Sequence, residues 1–293
     1  MVGTKHKIDT SFLARLDKYT FPLRKRVTAV HPGSHLSTRE GAGLDLVDHR
    51  KYNQGDSLKN IDWNLYARTE KLYVRRFEED KTLNMVVLLD ASSSMLFPDG
   101  SPNKFEYAST IALGVSYIVM KYNDRYRIFP FADSVEYTRS RKGRADFLRT
   151  IDNLSGISVS GTTKFANCAD SVYPRIKSKS MVMIISDFLD EPDSIRYAVR
   201  KLSRHEILLV CLYDESEANL PESTEGSVRF VDSETNEELK ISVGPKFRKE
   251  YASEYAGHMT GLEKIAYEFK IPYFRVDIKT RPFDTVLKII GEG

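Results

Sequence analysis

The sequence has no apolar run long enough to cross a bilayer. Its longest uncharged stretches, such as 207–213 and 181–186, fall far short of the ~20 residues a membrane helix needs. No membrane span is expected. The start, MVGTKHKIDTSFLARL, is basic but lacks an apolar core followed by a small-residue cleavage site, so no secretory signal is read and a cytoplasmic location is expected. Cysteine is scarce: Cys168 and Cys211 are too few for a disulfide scaffold or a cysteine zinc framework. Cys211 lies inside ILLVCLYD, where a thiol behaves as a small hydrophobe. The six histidines are scattered, and Pro32 and Gly33 interrupt the closest pair, His31 and His35, denying it the helical spacing of a zinc pair. An excess of one charge is also missing; a net +3 calls for no nucleic-acid partner.

What is present suits an ordinary globular protein. With 293 residues, 41% of them hydrophobic and 29% charged, the chain can form one large domain or one domain plus a smaller unit. Charge divides unevenly. Residues 1–76 hold 15 Lys and Arg against 8 Asp and Glu, a net of +7, which leaves −4 for the remainder. We therefore expect a basic, β-containing N-terminal unit over 1–80 and a mildly acidic body over 81–293. The basic surface reads as a solvated face, with a phosphate-binding face as the alternative.

From residue 84 onward apolar strands alternate with amphipathic helices. NMVVLLD is a strand, KFEYASTIALGVSYIVMKY a helix, RYRIFPFA a strand, RADFLRTIDNL and TKFANCADSVYPRI helices, SMVMIISD a strand, PDSIRYAVRKLSRH a helix and EILLVCLYD a strand. VRFVDSETNEELKISV reads as a hairpin, followed by a long helix over about 245–270, a strand at 273–276 and a last helix from about 282. The strands are almost continuous in Val, Ile, Leu and Met, as strands covered on both faces are. The fold class is therefore α/β, a doubly wound, mostly parallel sheet of Rossmann type.

In such sheets binding groups collect beyond the C-terminal strand ends. Asp90 closes the first strand and opens LLDASSSM, a D-x-S-x-S pattern in which Asp90, Ser92 and Ser94 put one carboxylate and two hydroxyls on a tight turn. SGISVSGTT adds a hydroxyl from Thr162 or Thr163, and Asp187 ends MVMIIS. A hard cation such as Mg2+ takes about six oxygens at ~2.0–2.1 Å and keeps some of its water, so these groups suit it, and Mn2+ or Ca2+ are alternatives. Singly, each residue also has a plain local use. Asp90 or Ser92 can cap the next helix, Ser94 can satisfy a backbone amide, and Asp187 can start a turn.

As a set, DASSSM, SGTTKF and ISDF resemble the three loops of the metal-ion-dependent adhesion site of von Willebrand factor A domains. The resemblance implies Asp90, Ser92, Ser94, Thr162 and Asp187 as metal ligands. Thr162, directly after Gly161, is favoured over Thr163. It also implies a site whose last coordination position is filled by a carboxylate of another molecule.

Upstream, NQGDS is a turn, and IDW places the single tryptophan, Trp63, beside an acid, an arrangement expected to pack the ring over a fixed loop. Arg50, Asp56, Asp62 and Arg68 can form a charge-paired network. GAGLDL is no dinucleotide loop, because it lacks a third glycine, follows no apolar strand and opens no helix. The ordered set Arg50, Tyr52, Gly55, Asp56, Ile61, Asp62, Trp63, Ala67, Arg68 and Val74 resembles the signature of the bacterial family known as domain of unknown function 58. That resemblance implies an adaptor or chaperone partner of a MoxR-type AAA+ ATPase. Many relatives carry membrane-spanning helices ahead of the motif; none is read here.

The reading is a non-enzymatic, Mg2+-dependent interaction module that docks proteins offering a Glu or Asp. One rival is a Mg2+-dependent phosphohydrolase with Asp90 as nucleophile. It is disfavoured because Ser92 stands where that chemistry uses a second aspartate and the loop has no adjacent Lys or His. The other is nucleic-acid binding through the basic N-terminal unit, which shows no aromatic-interleaved basic motif.

Overall fold

The computed structural model describes residues 6–19, 44–56, 58, 61–79, 83–139, 141–218, 220, 226–232 and 237–291, and for 44–48, 75–79 and 218 it describes the backbone. His31, His35, the start of GAGLDL and the tip of the expected hairpin lie outside these residues. Contacts divide the chain into one unit of residues 28–82 and another of residues 1–27 with 83–293.

In the smaller unit, β1 (Leu44–Lys51) pairs antiparallel with β2 (Tyr73–Glu79), with a register shift between Leu46 and Asp48. Between them lies α1 (Trp63–Thr69). Asp62 caps it, accepting from the backbone N–H groups of Asn64 and Leu65 at 3.0 Å. Such a cap satisfies two of the four amides that every helix start leaves open. Ile61 and Val74, bridged to each other, are the buried apolar pair of this unit among its described residues.

The larger unit is built on a parallel sheet. Its strands are β3 (Asn84–Asp90), β4 (Arg125–Phe131), β5 (Met181–Ser186), β6 (Glu206–Tyr213) and β9 (Tyr273–Asp277), in the spatial order β4-β3-β5-β6-β9. Successive residues of a strand point to opposite faces. Met85, Val87 and Leu89 accordingly enter one core, and Val86 and Leu88 the other. The first core is covered by α2 (Lys104–Lys121), α3 (Arg144–Ser155) and α8 (Pro282–Ile290). The second is covered by α4 (Phe165–Val172), α5 (Pro192–Leu202) and α7 (Pro245–Glu268). This is the doubly wound α/β class expected from the sequence. Each such Val or Leu gains about 1.5–3 kcal/mol on burial, so β3, β5 and β6, each paired on both edges and buried along most of their length, form the centre of the sheet. A short helix, α6 (Glu215–Ala218), follows β6, and β7 (Gly226–Val231) and β8 (Glu238–Val243) form the expected antiparallel hairpin.

One particular departs from expectation, and one needs a packing reason. The stretch 6–19 goes with the α/β body and not with the basic unit to which 1–80 was assigned. Phe12, Leu13 and Leu16 join the first core, and the Lys7 backbone N–H donates to Glu106 at 2.7 Å. An apolar triplet within a basic stretch is too short to show periodicity. Gly114, inside α2, supplies the second: a Cβ there would stand 2.7 Å from Val286 and 3.2 Å from the Phe12 ring. Glycine in a helix interior costs about 1 kcal/mol relative to alanine, and here the close approach of α8 and residue 12 requires it.

Candidate metal centre

Counted in chain order, the sheet runs second, first, third, fourth, fifth, so the chain reverses direction across the sheet between β3 and β5. Beyond the C-terminal ends of those two strands lies the crevice where open α/β sheets bind ligands. Asp90 ends β3 and Asp187 follows β5, so both stand at that crevice.

Asp90 is wholly buried. Its Oδ1 accepts from the Ser92 backbone N–H at 2.9 Å, and its Oδ2 accepts from the hydroxyls of Ser186 and, at 3.2 Å, Thr163. The Ser92 and Ser94 hydroxyls lie 3.0 Å apart. Backbone bonds stitch the two loops together, Ser93 N–H to the Gly161 carbonyl at 3.0 Å and Ser160 N–H to the Ala91 carbonyl at 2.9 Å. Gly161 makes the turn possible. Its φ is +89°, and a Cβ would strike the Asp133 carboxylate.

These contacts distinguish the two threonines. Thr162, half-buried, uses its backbone N–H on Asp133 at 3.3 Å, and the hydroxyl that reaches Asp90 belongs to the buried Thr163. The left-handed residue at 161 rotates the loop, so counting from the glycine does not give side-chain direction. Asp90, Ser92 and Ser94 do come together.

Asp187 stands differently. Its Oδ2 accepts from the Lys104 ammonium at 2.6 Å, and the same ammonium donates to Glu217 on α6. Lys104 is fully buried in the first turn of α2, where the helix dipole disfavours a cation, so its carboxylate partners are what hold it there. Burial alone would pull the Lys104 ammonium down, but the charges of Asp187 and Glu217 and its bonds to both outweigh burial and raise it. Burial pushes the Glu217 carboxyl up against the pull of Lys104. Asp90 is pushed up to about 7, first by burial and then by the charge of Asp187, against the hydrogen bonds from Ser186 and Ser92. Between Ser186 and Asp187 on one side and the next loop on the other, Phe188 is held at φ 56° with its ring stacked 5.1 Å from Phe165. Such strain in a non-glycine residue costs on the order of 1–3 kcal/mol and persists where packing dictates it.

The donor set can be tested against a cation. Asp187 and Glu217 share one ammonium, that of Lys104, so the acids there outnumber the cation by one, and Asp90, when its raised carboxyl is ionised, adds a second negative charge without a cation of its own. Among the described residues no basic side chain pairs with Asp90. Its surroundings are hydroxyls, hard oxygen donors that suit Mg2+, Mn2+ or Ca2+ and not the nitrogen and sulfur preferences of zinc or copper. The described residues hold no cluster of three or more His, Cys, Asp or Glu placed for a metal, so any ion here would depend on Ser92, Ser94 and Thr163. Lys104, Ser186 and Glu217 went unread in the sequence. SPNK signals a helix cap, and nothing in it signals burial of the lysine.

In the smaller unit the signature residues hold the loop itself. Arg50 grips Asp56 with both ends of its guanidinium, at 2.7 and 2.6 Å, and Asp56 also accepts from the Asn53 N–H at 2.8 Å. Gly55 supplies the φ of 108° this turn needs. The Tyr52 N–H bonds to the Leu72 carbonyl. Asp62 caps α1 and meets His49 at 2.8 Å, and Arg68 is exposed. Trp63, expected to be packed, is 57% exposed and touches Tyr66 edge-on. α1 has no buried residue, so its cap and not its aromatic face holds it in place.

Residues 48–261 match the family described as "Protein of unknown function DUF58", and the chain belongs to it. The uncharacterized protein Rv1480 of Mycobacterium tuberculosis is 26% identical over 261 residues, covering 87% of this chain and 81% of the relative. Among solved structures, an aerotolerance-related membrane protein from Bacteroides fragilis is similar, with 18% identity, a TM-score of 0.42, and coverage of 72% of this chain and 100% of that one. The von Willebrand factor domain of the pilus tip protein Mfa5 from Porphyromonas gingivalis is similar at 14% identity and a TM-score of 0.36, covering 71% and 95%.

Proposed function

We propose that this member of the DUF58 family is a metal-dependent protein-interaction module without chemistry of its own, docking a partner's carboxylate at the crevice between β3 and β5. The observation that supports this most is Asp90, a buried carboxylate ringed by hydroxyls with no basic partner among the described residues. Asp90, Ser92, Ser94 and Thr163 would hold a Mg2+ ion, with Asp187 beside them, and the bound ion would supply a Lewis-acidic position for an incoming Glu or Asp. The chain's own groups prepare the place. Ser186 and Thr163 fix the Asp90 carboxyl, while Lys104 offsets one of the carboxylates and leaves a deficit that one dication matches.

A phosphohydrolase is the weaker reading. Both Asp90 oxygens are engaged by neighbours, Ser92 occupies the acid–base position, and Lys104, the buried lysine on Asp187, is committed to two carboxylates. The partner we infer is a MoxR-type AAA+ ATPase served by this chain as an adaptor in the cytoplasm. The motif resemblance supports that choice, and no helix of the described residues is long and apolar enough to cross a membrane. The test is capture of the purified ATPase by immobilised protein in Mg2+ and in EDTA. Capture that needs Mg2+ and disappears with Asp90→Ala is expected; equal capture in all conditions contradicts the docking mechanism.

A further inference from the structure

The opposite end of the same sheet carries a different chemistry. Arg125 and Arg127 are the first and third residues of β4 and extend the face that carries Phe129 beyond the second core. Arg127 donates to the carbonyl oxygen of Arg175 at 3.3 Å. The Arg175 guanidinium lies 3.5 Å over the ring of Tyr137, which in turn sits 6.1 Å from Phe129. Lys177 follows, exposed, in the approach to β5. Arg204, next to β6, forms a fixed floor. It donates to the carbonyls of Tyr173 and Ile176 and to His205 Nε2 at 3.0 Å, and its guanidinium lies 4.3 Å over the Tyr173 ring.

The carboxylates at this rim are already committed. Asp170 holds Lys201 at 2.8 Å and Tyr197, and Glu206 holds Lys179 at 2.7 Å. Among the described residues no carboxylate pairs with Arg125, Arg127, Arg175 or Lys177. Burial, and then the like charge of Arg125, press against the charged form of Arg127. A guanidinium held over a ring on one side, and exposed as Arg175 is, can still offer its N–H groups to a planar two-oxygen acceptor.

We propose that this rim docks an acidic protein segment, whose Asp or Glu side chains take the open edges of Arg175 and Arg127 while Arg125 and Lys177 add charge. A nucleic acid fits less well. The cations are fewer than the roughly 6–10 phosphate contacts of a typical nucleic-acid site. The Tyr137 face on which a base would stack is covered by Arg175. This docking face uses none of the residues of the metal centre.

The test is fluorescence anisotropy of a labelled octaglutamate and a labelled oligothymidylate of similar length, titrated with the full chain in EDTA. Saturable octaglutamate binding is expected, weakened roughly tenfold by Arg175→Glu and less by Arg175→Lys, which keeps the charge and loses the fork. Affinity falls with added salt and is unchanged in Asp90→Ala. The exposed Lys177→Glu provides the same reading should Arg175→Glu disturb Tyr137. Absence of saturable binding, equal affinity in the charge-reversed variants, tighter binding of oligothymidylate, or loss of binding in Asp90→Ala would each overturn the assignment.

Discussion

The two ends of the parallel sheet are made from the same strands and have opposite electrostatics. At the C-terminal end, acidic groups are buried and held by hydroxyls, backbone amides and one lysine, so each charge is tied to packing. At the N-terminal end, guanidinium groups lie on aromatic rings at the surface and are tied to carbonyl oxygens or to nothing acidic. Burial is what separates them. A charge in the crevice is inseparable from stability, whereas a charge on the rim can be changed with little effect on the fold.

That contrast fixes an order of effects. The largest is expected from Lys104→Met, which strands Asp187 and Glu217 without their ammonium and should cost about 3–5 kcal/mol in denaturant unfolding. A loss under about 1 kcal/mol would mean that the two ends are equally tolerant and would break the comparison.

The pH dependence of the metal-free protein comes next. Asp90 titrates near 7 when folded and near 4 when unfolded, so the folded state binds the proton more tightly. Its contribution is fully present below about 4 and is lost as pH rises through about 7. Melting temperatures of the metal-free chain across this window should therefore reveal a falling component that Asp90→Asn removes. If the two proteins give parallel profiles, the buried carboxyl is not the source.

Gly161→Ala should be milder than Lys104→Met, about 1–3 kcal/mol, because the new methyl meets Asp133 at a positive φ. The smallest effect is expected at the rim. Arg175→Ala should change stability by no more than about 1 kcal/mol, the scale of one exposed cation–π contact, as read from the same denaturation curves.

Much of the fold was legible because burial on both faces writes itself as uninterrupted Val, Ile, Leu and Met, and β3, β5 and β6 read in that way. The crevice was partly legible. Asp90, Ser92 and Ser94 follow from a strand end and a spacing of two, which backbone geometry preserves. Thr163, and not the favoured Thr162, turns its hydroxyl to Asp90, since a single left-handed glycine resets the direction of the loop. Lys104 was hidden because lysine at a helix start is ordinarily solvated, and its burial depends on Asp187 and Glu217, distant by 83 and 113 residues. Trp63 misled for the reverse reason. A lone tryptophan beside a capping acid suggests packing, yet the cap holds α1 without it.

Calorimetric titration of Mg2+ into the metal-free chain, run beside Asp90→Ala, tests the central claim most directly. The account predicts saturable uptake of one ion per chain that vanishes in the variant. Absence of uptake in the parent chain, or identical uptake in both, would contradict it.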